Sequence, residues 1–143
     1  MLVYFIGNIA ARLATILCVL AIALPYVLRN GVPRNGPLNR KLGLAQEHAS
    51  PYLSRLWPHF WVGYAILALS TLHAGTVMNA MRSANSSGIL AATAAFFLLL
   101  LEVTLGLILK DPSLAARRAL RRLHFWTMAA FMAMLVMHLW ING

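Results

Sequence analysis

A chain of 143 residues that is 61% hydrophobic and only 10% charged carries too little charge to cover a water-soluble domain, which typically has about 25%. Twelve Lys and Arg against three acidic residues give a net charge of +9, a balance that in a soluble body would suit nucleic acid; here the cations fall in short connections between apolar runs. Composition therefore excludes ordinary soluble enzymes and nucleic-acid binders, and points to a chain whose solvent is the lipid bilayer.

A helix needs about 20 mainly apolar residues to cross about 30 Å of hydrocarbon. Four stretches meet that length, at about 2–28, 59–81, 89–109 and 123–141, and predict an all-α, four-transmembrane-helix bundle in a single domain spanning 1–143. The first run has no basic start and no clear small-residue cleavage site, so it reads as a retained helix rather than a signal peptide. Its lone Cys18 supports neither a disulfide nor a thiolate metal site and reads as a small apolar core residue.

The connection after the first run opens with Gly, Pro and Asn breakers and turns mildly amphipathic over 42–57, predicting a segment along the membrane surface with Arg55 and Trp57 at headgroup level. Pro58 suits the first turn of the second helix, where its missing N–H costs nothing. "RSANSSG" closes the second and third helices as an antiparallel hairpin. "KDPSLAARRALRR" breaks at Asp111-Pro112, and Ser113 is placed to cap a short basic helix leading into the fourth run.

Arg29, Arg34, Arg40, Lys41 and Arg55 lie between the first and second runs, and Lys110, Arg117, Arg118, Arg121 and Arg122 between the third and fourth, whereas the central turn holds only Arg82. By the positive-inside rule both basic connections are cytoplasmic, which puts both termini on the non-cytoplasmic side.

The second and fourth runs share a motif: "HFWVGYAILALSTLH" from His59 to His73 and "HFWTMAAFMAMLVMH" from His124 to His138. With the apolar helix and basic connection before each, this is a weak internal duplication with a parallel pseudo-twofold. Fourteen helical residues rise about 21 Å, so each helix carries one histidine towards each leaflet. Fourteen is also two heptads, so both histidines share one interior face. The two helices run the same way, and register matches His59 with His124 and His73 with His138. Zinc would want further ligands, and no Cys, Asp or Glu sits beside these histidines on their own helices. Haem iron takes axial ligands from opposite faces and brings its own ring, so haem fits better. The bland alternative is four satisfied core histidines; polar groups inside lipid are costly, and the same spacing occurs twice in register.

With these residues the chain resembles the four-helix di-haem core of membrane b-type cytochromes, as in quinol-oxidising cytochrome b and the membrane domains of ferric reductases and NADPH oxidases. The specific match is the paired His-x13-His. The resemblance implies two haem b groups, one on His59 and His124 at the cytoplasmic side and one on His73 and His138 at the outer side. It departs from larger members in having neither helices beyond the fourth nor a flavin or nicotinamide domain. In the quinol-oxidising members small residues fourteen apart on the first and third helices make room for haem edges; Gly7 and Ala21, and Ala92 and Gly106, have that spacing here.

The remaining charges in the spans need partners, because a charge at bilayer depth costs about 2.5–3.5 kcal/mol. Arg12 and Arg82 are candidate contacts for a propionate of the outer haem. Glu102, near the depth of the inner pair, is a candidate proton relay to a quinone, or is protonated or snorkels toward Lys110; His48 is a second candidate quinone contact, against the plainer reading of a surface histidine. Trp57, Trp61, Trp126 and Trp140 fit the interfacial aromatic belts, and Phe60, Trp61, Phe125 and Trp126 are placed to wall the inner haem. The sequence thus predicts a di-haem cytochrome of a bacterial-type inner membrane, exchanging electrons with quinone beside a cytochrome c, iron–sulfur or flavoprotein subunit. A free-standing haem oxidoreductase, and a haem-free four-helix transporter or assembly factor, remain the alternatives.

Overall fold

The structure, a computed structural model, describes residues 2–30, 56–77, 86–111 and 113–142, the side chains of 28–30 excepted. Four helices account for nearly all of them: α1 Leu2–Asn30, α2 Trp57–Val77, α3 Ser86–Ile108 and α4 Arg117–Asn142. Each is long and apolar enough to cross a membrane. The surface segment expected over 42–57 falls almost wholly outside the described residues, as do His48 and Arg82.

One boundary differs from the sequence reading. The basic stretch 117–122 is not a separate short helix but the first turns of α4. Ala, Leu and Arg are good helix formers, and no breaker stands between Arg117 and Leu123. The turn before it is organised by Asp111 rather than by a Ser113 cap. The Asp111 carboxylate accepts hydrogen bonds from the Ser113 hydroxyl at 2.6 Å and the Ser113 N–H at 2.8 Å, and the Asp111 carbonyl accepts one from Arg117 Nη1. Those bonds, the hydroxyl first, hold the Asp111 carboxyl below its usual range. The turn is thus supported at neutral pH and loses that support as pH falls through the lowered value.

The packing follows small residues. α1 packs along α2 and α3 along α4, while α2 and α3 touch more lightly. The buried stripe of α1 is Gly7, Ala10, Ala14 and Cys18, and that of α3 is Gly88, Ala91, Ala95 and Leu99. Each residue of the first stripe lies 81 positions before its counterpart in the second. In lipid no hydrophobic force pulls helices together, so close approach over small residues supplies the van der Waals contact. The duplication expected from the histidine motif therefore extends to the helices that carry no histidine.

Large apolar side chains point outward instead: Phe5 is 62% exposed, Ile16 63%, Phe97 65% and Trp140 88%, the pattern of a lipid-facing surface. The threonines in the spans satisfy their hydroxyls locally, Thr15 donating to Ala11 O at 3.0 Å, Thr71 to Leu67 O at 2.8 Å, Thr93 to Ile89 O at 2.9 Å and Thr104 to Leu100 O at 2.8 Å. These four hydroxyls are not left bare in hydrocarbon. At mid-depth Cys18, Ile66, Ala95, Leu99 and Phe131 form the apolar core. Ile66 stands seven residues from both His59 and His73, and Phe131 seven from both His124 and His138, so this layer separates two histidine levels.

A Cβ at Gly7 would overlap Thr76 Oγ1 and sit 3.0 Å from Thr76 Cβ, an atom that cannot rotate away, whereas nothing lies within 4 Å of one at Gly75. Gly7→Ala is expected to destabilise the bundle by about 1–3 kcal/mol, and Gly75→Ala to be neutral or stabilising by up to about 1 kcal/mol. Equilibrium unfolding of the two variants in one detergent checks the contrast.

Candidate cofactor site among four histidines

An imidazole inside a membrane must find an acceptor for its N–H, and a helix offers few because its carbonyls are already bonded four residues on. α1 frees one. Pro25 lies within α1 and has no N–H, so the carbonyl of Ala21, four residues earlier, loses its usual donor. His59 Nδ1 occupies that position, 3.1 Å from Ala21 O. Fourteen residues along each helix the arrangement recurs, with His73 Nδ1 3.1 Å from Gly7 O. In the second hairpin His138 Nδ1 lies 3.3 Å from Gly88 O.

The fourth histidine breaks the pattern. Where pseudo-symmetry would offer a carbonyl equivalent to that of Ala21, α3 presents the side chain of Glu102, and His124 Nδ1 sits 3.0 Å from Glu102 Oε1, with side-chain exposures of 26% and 14%. The ring is turned so that its N–H points away from a straight line to the oxygen, and the nitrogen makes no aligned hydrogen bond despite the short distance. The other carboxylate oxygen, Oε2, accepts from Thr127 Oγ1 at 2.5 Å, which fixes the carboxylate against α4. Glu102 therefore turns to His124 and Thr127 rather than to Lys110.

Carbonyls only accept, so His59 and His73 are held as Nδ1–H tautomers, leaving the Nε2 lone pair free. This is how metal-ligating histidines are oriented, the second nitrogen donating to a carbonyl or carboxylate. His138 has a competing neighbour: Asn142 Nδ2 donates to His138 O at 2.9 Å and also lies 3.2 Å from its Nδ1.

The rings of His59 and His124 are 6.5 Å apart, centre to centre, and nearly perpendicular at 87°. Two metal–imidazole bonds of about 2 Å each, added to the two ring radii, span roughly 6 Å, a spacing close to the one seen between these two rings. Among the described residues no cluster of three or more His, Cys, Asp or Glu is arranged to hold a metal, so the ion would have to bring its other ligands, as a haem does. A partly open cleft of about 80 Å³ is lined from all four helices by Ala21, His59, Gly63, Gly106, His124 and Phe131 among others. Gly63 has nothing within 4 Å of its missing Cβ, and that of Gly106 would stand 3.6 Å from His124 Cε1.

His73 and His138 make no ring contact with each other among the described residues, so of the two expected pairs only the first is brought face to face. Gly7 makes room for Thr76 as well as offering its carbonyl to His73. On α3 the residues equivalent to Gly7 and Ala21 are Gly88 and Glu102, one turn before Ala92 and Gly106. Arg12 is exposed on α1 and makes no contact with the histidines. Of the four aromatic residues expected to wall the inner site only Phe60 lines the cleft; Trp61 is 58% exposed, Phe125 56% and Trp126 67%.

Pro25 and Tyr64 escaped the sequence reading, and Lys110 entered it only as a connection cation and a partner for Glu102. Pro25 was signalled by its place four residues after a small residue inside a span. Lys110 and Tyr64 had no such signal: Lys110 Nζ donates to Tyr64 Oη at 3.0 Å and lies 4.7 Å from the centre of the Phe60 ring. Since Tyr64 and Phe60 line the cleft, this ammonium stands at its mouth.

Restoring the N–H with Pro25→Ala is expected to return the Ala21 carbonyl to its own helix and raise the Nε2–H fraction of His59, read by 15N NMR of labelled histidine in the cofactor-free chain. No protein-family model matches this chain, and no curated protein or solved structure matches it either, so the functional reading rests on the geometry of the four histidines.

Proposed function

We propose that this chain is a transmembrane electron carrier holding one haem b between His59 and His124 and a second between His73 and His138, and acting as the membrane subunit of a larger redox complex. The observation that carries the reading is that all four Nδ1 atoms lie within 3.0–3.3 Å of a carbonyl or carboxylate oxygen on the neighbouring helix, at four positions fourteen apart in pairs. At His59 and His73 the carbonyl acceptors leave Nε2 free for a ligand in the same way, two heptads apart.

Bound iron would supply a one-electron couple at each level. The chain's own residues do the rest. His59 and His124 would hold the inner ion, with Ala21 O orienting the first ring and Glu102 standing 3.0 Å from Nδ1 of the second. Ile66, Leu99 and Phe131 set an apolar layer between the levels. The histidine levels are about 21 Å apart along each helix, so charge entering at one face leaves near the other. Lys110 and Tyr64 offer an ammonium and a hydroxyl to a carboxylate of the group in the cleft. Quinone is the membrane-soluble exchange partner this reading assigns, with a cytochrome c, iron–sulfur or flavoprotein subunit as the other terminus in a bacterial-type inner membrane.

The purified chain is expected to show two low-spin b haems in its dithionite-reduced minus oxidised spectrum. His59→Ala should remove one and His73→Ala the other; a folded, colourless chain would leave the transporter or assembly alternative. Glu102→Gln removes the carboxylate that enriches His124 with electron density, and redox titration should show one haem shifting to a higher midpoint potential while the other stays unchanged. Reconstitution with haem dimethyl ester, whose carboxylates are blocked, should separate Lys110→Gln from the parent chain. The parent is expected to prefer the free acid by about tenfold, roughly one charge-assisted hydrogen bond, and the variant to bind both alike.

A further inference from the structure

Arg118, Arg121 and Arg122, at the start of α4, line a surface groove together with Phe125 and Trp126. Spacings of three and four residues put Arg118, Arg121, Arg122 and Phe125 on one side of the helix, and all five side chains are exposed. The two rings lie one turn further into the span, at the level where aromatic side chains meet lipid headgroups.

The chain has few acids to set against these guanidiniums. It holds three acidic residues against twelve Lys and Arg; Glu102 is taken by His124 and Thr127, and Asp111 by Ser113. Glu47 lies outside the described residues, and among the described residues no acidic group touches the three arginines. With twelve cations against three acids, most of the chain's positive charge needs counter-ions from outside it. A guanidinium fork matches a phosphate with two parallel hydrogen bonds, and three forks within one turn suit a doubly charged headgroup. Phe125 and Trp126 decide the source: they continue the groove into the hydrocarbon, where an acidic protein surface cannot follow but the start of an acyl chain can.

We propose that Arg118, Arg121 and Arg122 with Phe125 and Trp126 form a binding site for the phosphate headgroup of an anionic phospholipid. The site is independent of the histidines and stands whether or not they bind haem.

The test is native mass spectrometry of the detergent-purified full chain titrated with cardiolipin, phosphatidylglycerol or phosphatidylcholine. The parent chain is expected to retain the anionic lipids in preference to phosphatidylcholine, with affinity falling as salt rises. Each lost cation weakens such binding by about fivefold, so the triple Arg→Gln variant should bind about a hundredfold more weakly, and the triple Arg→Lys variant should keep part of the affinity. The single variants Arg118→Gln and Arg122→Gln, each with an unchanged helical circular dichroism spectrum, carry the same test if the triple variant fails to fold. Equal retention of anionic and zwitterionic lipids, or undiminished anionic binding in the folded variants, would overturn the proposal and leave an acidic protein partner for these arginines. Displacement of the lipid by millimolar inorganic phosphate would also overturn it, as a site for the free ion.

Discussion

In hydrocarbon the N–H of an imidazole has no water to fall back on, and its helix has spent its own carbonyls on itself. Much in this bundle follows from how such N–H groups are met at His59 and His73. Each points across a helix pair rather than along its own helix, which requires the backbones to come close, and close approach requires Gly and Ala at the crossing. The small-residue stripes of α1 and α3 therefore answer to the histidines of α2 and α4. Pro25 shows the same constraint from the donor's side, since removing one N–H from α1 leaves a carbonyl that His59 uses.

The pseudo-twofold makes the one exception informative. Three histidines are set against neutral backbone carbonyls and the fourth against the carboxylate of Glu102. A carbonyl fixes orientation; a carboxylate fixes orientation and also draws proton density from the ring, which raises its basicity as a ligand. Two histidine levels built on one repeat are thereby made unequal. The apolar layer of Cys18, Ile66, Leu99 and Phe131 lies between the levels.

The fold was largely legible from the sequence, because hydropathy over 20 residues is a strong signal and bilayer thickness sets its length. The start of α4 was misread because Asp111-Pro112 and a run of arginines look like a boundary, although nothing after Arg117 breaks a helix. The pairing of His59 with His124 could be read from the fourteen-residue spacing, but the acceptors of Nδ1 could not, since a backbone carbonyl has no residue type. Gly7 and Ala21 were noticed for their size, and what they contribute to the histidines is their oxygen. Glu102 was noticed for its charge, yet its partner His124 lies on the next helix at no periodic interval, so only the packed bundle reveals it.

The central claim is that His59 and His124 ligate one iron from opposite sides, with their rings held crosswise by Ala21 O and Glu102. Low-temperature electron paramagnetic resonance of the oxidised, haem-loaded chain tests this directly, because crossed axial imidazoles give a strongly anisotropic low-spin ferric signal and parallel ones a more rhombic signal. With the rings at 87°, the account predicts a strongly anisotropic low-spin signal that disappears in His124→Ala. A high-spin signal, or a low-spin signal that survives the loss of His124, would contradict it.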